Sequence, residues 1–384
     1  MLRYKSMQIQ LKNRLSFWSH FHSDERFFMY NPLKKEFVMG AKRLKTVKEI
    51  NDEESYLYAF STMTFSNGIK DEKWKDFGNE SVIYEYYLVE KDGIQTLFYL
   101  DNPVEINDVE IEKGIHWYRQ ITSDYDDWYR MFSIGKKAIE TELLKKIVLS
   151  REVELACDSV VQVERVIQNL CDHNPNCFIY AYNKDNRTFL GASPEILVHK
   201  EDGKIMSHAL AGTLSKEQKS QNLHNLQDEQ PLNDLKNQEE HQIVVDMIAD
   251  VFAKYNDIVN IGKTEVVSLK NLYHLRTPID TKDSACVSVW AKRLHPTPAM
   301  GGYPVEAARR VIAESEHHER GLYASPLGLI EGNGDGVYVA GIRSALIIEN
   351  KVFAYAGCGI INDSVCMDEY METMYKLKTI TESL

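Results

Sequence analysis

The residues best suited to chemistry stand at a few spaced points, most of them in the last quarter of the chain. Glu369, Glu372 and Lys376 share one helical pattern, EYMETMYK, which follows the glycines Gly357 and Gly359 in the run AGCGI. Far upstream, Val244, Met247, Ile248, Val251 and Tyr255 repeat at helical spacing and predict a buried stripe. Glu240 lies one turn before Val244 on that stripe, and a carboxylate on an apolar face is costly unless it is paired or metal-bound. If Glu240 and Glu372 both point inward, they form a hard-oxygen site suited to Mg²⁺, which takes one or two protein carboxylates and completes its octahedron with water and substrate oxygens. The competing reading of Glu372 is an ordinary surface ion pair, because Lys376 follows it by four residues.

Five more positions carry charge or backbone freedom. Lys146 opens the apolar run KIVLSRE on the same face as Val148. Turned into a pocket it is a general base; at the strand entry it is a solvated lysine. Glu195 follows a tight turn bracketed by Gly191 and Pro194. Poor solvation there raises the pKa of a carboxyl and makes it a proton donor near neutral pH, whereas a strand-end carboxylate bonded to a backbone amide would not donate. Arg343, in AGIRSALII, reads as an inward arginine on an apolar strand, paired with a carboxylate of a ligand or of the protein itself. Gly357 and Gly359 read as a turn whose backbone N–H groups approach an anion. His241, His274 and His295 lack metal-motif spacing and read as structural, with His274 the best placed to line a pocket.

These residues need a scaffold, and the composition allows one. The chain has 384 residues, 43% of them hydrophobic, and a formal net charge of −12. That charge argues against nucleic-acid binding, so an anionic substrate must be captured by local positive groups. Six scattered cysteines without a CxxC pair read as reduced thiols. The N-terminus lacks a signal-peptide core, and no run approaches the roughly 18 apolar residues of a membrane span. The expectation is a soluble cytoplasmic protein with no membrane and no obligate protein partner.

Residues 81–90 and 93–100 predict a hairpin through Lys91-Asp92-Gly93. A helix is expected over 126–144, running into a strand at 146–155. Strands follow at 177–182, 188–192, 195–200 and 204–210, with turns at 183–186 and 201–203. The polar stretch 215–240 reads as a mobile loop leading into a helix at about 234–255, with Asp234 as its N-cap. Late strands are expected at 337–348 and 351–356. Antiparallel hairpins with several helices make an α+β protein, and no linker marks a boundary. The expectation is one large domain, with 1–125 its divergent N-terminal part and 126–384 its catalytic region.

Taken together, KIVLSR (146–151), FLGASPE (189–195), LAGT (210–213), EH (240–241), YHLRTPI (273–279), LHPTPAMGGYP (294–304), IRSALI, AGCGI and EYMETMYK occur in an order that resembles the chorismate-utilising enzymes, and among them the isochorismate synthases. The resemblance implies two packed, mostly antiparallel β-sheets flanked by helices. It implies Mg²⁺-dependent conversion of chorismate to isochorismate; menaquinone synthesis is the expected destination, with a siderophore pathway equally compatible with the sequence. Lys146 matches the base that activates water for attack at C2, and Glu195 the acid that protonates the departing C4 hydroxyl. Glu240 and Glu372 match the metal ligands, with Glu369 a supporting carboxylate. Arg343, Gly357 and Lys376 match groups that hold the substrate carboxylates, Gly212 and Thr213 a turn beside the ring, and His274 lines the pocket. The rival readings are a salicylate synthase, which goes on to eliminate pyruvate, and a non-catalytic carboxylate-binding protein on the same scaffold. Relatives that use ammonia carry a glutamine-like residue where Lys146 stands, and aminodeoxychorismate synthases place a nucleophilic lysine at the position of Ala211. Departures from the family pattern are Asn237 where many relatives have aspartate, LSKE after LAGT, and Cys358 and Cys366 near the glycines.

Overall fold

Antiparallel strands, many of them buried on both faces, form the frame of this chain, and tight turns set the register of several hairpins. A computed structural model describes residues 2–47, 56–66, 68–112, 114, 116–122, 125–215, 234–268 and 272–384. In chain order the elements begin with β1 (Lys5–Ile9), α1 (Leu15–His20), β2 (Arg26–Asn31), β3 (Glu36–Val47), β4 (Tyr58–Thr62), β5 (Glu80–Lys91), β6 (Ile94–Tyr99) and β7 (Tyr118–Gln120). Next come α2 (Tyr125–Glu140), β8 (Lys146–Cys157), α3 (Val163–His173), β9 (Phe178–Lys184), β10 (Arg187–Ser193), β11 (Ile196–Glu201) and β12 (Lys204–Ser215). After α4 (Leu235–Ala253) follow β13 (Asn260–Ile261), β14 (Glu265–Ser268), β15 (Leu272–Lys282), α5 (Val287–Leu294), β16 (Gly302–Tyr303) and α6 (Val305–Ser315). The chain closes with β17 (Pro326–Glu331), β18 (Gly336–Ala340), β19 (Ser344–Ile348), β20 (Lys351–Ile360) and α7 (Cys366–Thr381).

Three hairpins are closed by two-residue turns with both φ angles positive: Asp92-Gly93, Asp185-Asn186 and Asp202-Gly203. Asp, Asn and Gly tolerate that conformation, and its twist matches the flanking strands.

Pairing follows two lines that share β5. One runs β1–β6–β5–β3–β2–β9–β10–β19–β20–β8, with β7 and β16 against the far edge of β8. The other runs β5–β4–β17–β18–β11–β12–β15, with β13 and β14 beyond β15. Every one of these pairs is antiparallel. A core that includes Phe27, Phe189 and Tyr355 from the first half and Leu327, Val337 and Val339 from the second fills the space between them. The outer face of the first half carries α1, α3 and the end of α7 through Phe17, Val166, Leu170 and Ile380. The outer face of the second carries α4 and α5 through Val244, Ile248, Phe252 and Trp290. The expected α+β architecture of two packed antiparallel sheets with flanking helices is the one observed, with β5 joining the two halves.

Two strand-to-strand steps cross between the halves at one place. The chain leaves β10 in the first half, passes Pro194 and Glu195, and enters β11 in the second. It leaves β18 in the second half, passes Gly341–Arg343, and enters β19 in the first. The crossings are tied together by Ala340 N–H donating to Glu195 O at 3.1 Å. This switch corrects the expected strand over 337–348: it is two strands, and Arg343 sits in the break with φ of +53°.

Other expectations shift for local reasons. Gly357 and Gly359 form no turn; both lie within β20, opposite Ser150 and Val148. The helix of 126–144 stops at Glu140. Tyr255 is not on the buried stripe of α4: it lies past the helix end, 52% exposed, with the Arg293 guanidinium 3.6 Å over its ring. Of the polar stretch 215–240, residues 235–240 are the first turns of α4, capped by Asp234 as expected, and 216–233 lie outside the described residues. Glu195 precedes β11 rather than beginning it.

The start of β8 is buried on both faces, and only its second half alternates. Helix α2 can lie flat against it because residue 135 is glycine: a Cβ there would sit 3.1 Å from Ile147 Cγ2 and 3.2 Å from Leu149 Cδ1. Gly135→Leu therefore overpacks this contact and should cost about 1–3 kcal/mol. A fall in the urea midpoint is the expected result; an unchanged midpoint contradicts the packing.

Candidate active site

A cavity opens where the two halves separate at the crossings, with about 640 Å³ of space free of atoms, its mouth included. The first half supplies Lys146, Val148 and Gly357; the second supplies the Leu210–Thr213 segment and His274. The crossings supply Glu195 and Arg343, α4 supplies Glu240, and α7 supplies Lys376. Residues scattered over 231 positions of sequence thus meet because the sheet divides there. Glu369 and Glu372 do not line the cavity; they sit two turns and one turn, respectively, before Lys376 on α7.

Lys146 has 1% of its side chain exposed, and its Nζ lies 2.9 Å from Glu240 Oε1. Gly359 makes that pairing possible: a Cβ at residue 359 would fall 2.2 Å from Glu240 Oε1 and 2.9 Å from Lys146 Cε. The glycine read as a turn is a strand glycine cleared for an ion pair.

Glu195 is buried without an ion-pair partner among the described residues. Burial pushes its carboxyl up to about 8, against the opposing pull of Lys146, Lys376 and Arg343. The group is a protonated acid at neutral pH, which is the first of the two readings its sequence position allowed. On the opposite flank, Arg343 Nη2 lies 3.1 Å from His274 Nε2, and His274 Nδ1 lies 3.2 Å from Thr213 Oγ1. Burial and the neighbouring Arg343 and Lys376 hold His274 well below the usual imidazole range, so it is neutral. Since Arg343 can only donate, Nε2 accepts and the imidazole proton sits on Nδ1. Gly212 has φ of +75° at a bulge in β12, and Lys376 Nζ donates to Gly357 O at 2.8 Å.

The acidic flank comprises Glu240, Glu369 and Glu372. Each is matched with a lysine: Lys146, Lys236 at 2.5 Å and Lys376 at 2.6 Å, respectively. Glu369 is buried, and burial together with the like charge of Glu372 raises its carboxyl against the opposing pull of Lys236. Among the described residues no three ligating groups already converge. The donor set is nonetheless all hard oxygen, and the three carboxylates act together on Lys236 and Cys358, which places them in one neighbourhood that suits a small divalent cation.

The other two histidines are structural, as expected: His241 Nε2 bonds Thr277 Oγ1 at 2.7 Å, and His295 is buried behind Phe65. Sequence reasoning missed Tyr323. It lines the cavity, stacks on Tyr355 with ring centroids 5.4 Å apart, and points its hydroxyl at Gly357, 2.9 Å from where a Cβ would be. The signal was the glycine itself, since Gly357 leaves the room that the phenol occupies.

Comparison with known proteins adds the family. A family profile described as chorismate binding enzyme matches residues 102–384. The chain belongs to that family. It is 37% identical over 264 residues to the isochorismate synthase MenF of Bacillus subtilis (strain 168), covering 68% of this chain and 56% of that protein. It is 34% identical over 260 residues to the salicylate biosynthesis isochorismate synthase of Pseudomonas aeruginosa, covering 67% and 54%. The match thus spans little more than half the length of either relative. The fold is that of MenF, the menaquinone-specific isochorismate synthase from Escherichia coli, with a TM-score of 0.82 at 22% identity over 99% of this chain and 94% of that one. Among the described residues no helix is long and apolar enough to cross a membrane.

The state of Glu195 has a consequence for stability. Its folded-state pKa of about 8 lies above the ordinary value of 4.5, so the native protein keeps a proton that the unfolded chain has released. Unfolding free energy is therefore lost as pH rises from about 4.5 through about 8. Glu195→Gln removes this slope. Urea melts at pH 5 and pH 9 should show the variant gaining on wild type at the higher pH; an equal difference at both contradicts the assignment.

Proposed function

We propose that this chain converts chorismate to isochorismate, adding water at C2 and expelling the C4 hydroxyl. The observation that carries the reading is that a buried lysine and a protonated, buried glutamate share one cavity with the cationic groups Arg343 and Lys376. Chorismate is a dianion, and Arg343 and Lys376 are the local positive groups that an acidic chain needs to capture it.

In this account Lys146 first releases its ammonium proton to solvent and leaves its ion pair with Glu240, and the neutral amine then takes a proton from water as the water oxygen bonds to C2. The two ring double bonds each move one position, and the C4–O bond breaks as Glu195 gives its proton to the departing hydroxyl. One water enters and one leaves, so the net change is an isomerisation. In the reverse direction the two groups exchange roles. Arg343, backed by neutral His274, and the Gly357 backbone with Lys376 orient the carboxylates, while Gly212 and Thr213 border the ring. Glu240 and Glu372 would hold Mg²⁺, with Glu369 behind them. Bound there, the ion would supply positive charge for a substrate carboxylate.

Ala211 lines the cavity where an aminodeoxychorismate synthase would need its nucleophilic lysine, which favours water as the nucleophile. We assign the product to menaquinone synthesis, the specificity of the E. coli structural relative. The chain's site of action in this reading is the cytoplasm.

Incubation with chorismate and Mg²⁺ should yield isochorismate alone. Salicylate with pyruvate, or unchanged chorismate, would overturn the proposal. Lys146→Ala should lower turnover about a thousandfold while leaving the thermal melt intact; a loss under tenfold would remove the base. Excess EDTA should stop turnover and added Mg²⁺ restore it, whereas a full rate in EDTA would remove the metal.

A further inference from the structure

We infer that Asn237 is a positioning residue that holds the carboxylate-binding flank of the cavity through Thr213 and His274. The inference rests on the proposed use of the cavity for chorismate.

Asn237 is 4% exposed and lies in the first turn of α4. Its backbone N–H is taken by the capping carboxylate of Asp234 at 3.1 Å. Its side-chain oxygen Oδ1 accepts the backbone N–H of Thr213 at 3.0 Å. That N–H belongs to the bulge in β12, where the register with β15 shifts between Ala211 and Thr213. A bulge leaves ladder groups without their regular partner, so the Asn237 carbonyl replaces a bond that the sheet cannot make. The bulge also rests directly on the helix, since a Cβ on Gly212 would lie 2.9 Å from Asn237 O.

From Thr213 the chain of contacts continues into the cavity. The Thr213 hydroxyl faces His274 Nδ1 at 3.2 Å, and His274 Nε2 receives Arg343 Nη2 at 3.1 Å. Thr213 and His274 are also cross-strand partners. The guanidinium that meets a substrate carboxylate is thus oriented by a neutral imidazole, the imidazole by a threonine, and the threonine by Asn237. One turn further along α4, Glu240 meets Lys146. A single helix therefore sets both the base and the anion-binding flank, and Asn237 is its contact with the second.

Only an acceptor is required of residue 237 by this geometry, so aspartate can serve as well as asparagine. Asn237→Ala and the nearly isosteric Asn237→Leu both delete the acceptor. Each should raise KM for chorismate about tenfold with kcat within about threefold, because the flank that binds is disturbed and the proton-transferring pair is not. Asn237→Asp should recover most of the loss. Wild-type KM in both deletion variants, or Asn237→Asp as impaired as Asn237→Leu, would overturn the inference. If Asn237→Ala does not fold, the comparison of the leucine and aspartate variants decides. Absence of turnover in the wild-type control would overturn the reading of the site as well, while wild-type turnover with unaltered variants overturns the role of Asn237 alone.

Discussion

Two crossings made at one place constrain everything else in this molecule. A sheet that folds back on itself must part somewhere, and here it parts where β10 leads to β11 and β18 leads to β19. Strand pairing cannot continue through the gap. Side chains that would otherwise be held in a ladder are free to face a cavity, and Glu195 and Arg343 stand on the two crossing segments. The crossings are bonded to each other, so the acid and the guanidinium are held by one piece of backbone. The opposite wall is the doubly buried start of β8, pressed into place by α2.

The ion pair between Lys146 and Glu240 shows what that scaffold is for. Burying two charges costs several kcal/mol of desolvation per ion, which their attraction repays only with good geometry. A pair of apolar residues would serve stability as well. Keeping Lys146 and Glu240 there, with a glycine at 359 to make space, is more easily understood as a requirement of chemistry than of folding. The cavity's polarity supports this. It is lined by Glu240 on one side and by Arg343 and Lys376 as cations, while Glu369 and Glu372 lie behind it on α7, where Glu372 pairs with Lys376; the positive groups that line it suit a substrate that brings negative charge.

Much of the site was legible in the sequence because each residue broke a local rule. Lys146 interrupts an apolar strand, Glu195 follows a turn into the core, and Glu240 lies on an apolar helical stripe. What could not be read was anything set by long-range pairing. Arg343 sits in a run that alternates like a strand, and only the switch between sheet halves breaks it. Gly357 and Gly359 were mistaken for a turn because the groups lying against them, Tyr323 and Glu240, come from distant segments. Asn237 showed itself only as a departure from the family pattern. Its bond to Thr213 depends on a bulge that appears only when β12 meets β15.

The central claim is that this cavity adds solvent oxygen at C2 of the substrate ring. Turnover of chorismate in H₂¹⁸O tests it most directly. Isochorismate carrying a single ¹⁸O on C2, located by mass spectrometry and ¹³C isotope shift, is the predicted result. Isochorismate that retains the original unlabelled hydroxyl oxygen would contradict it.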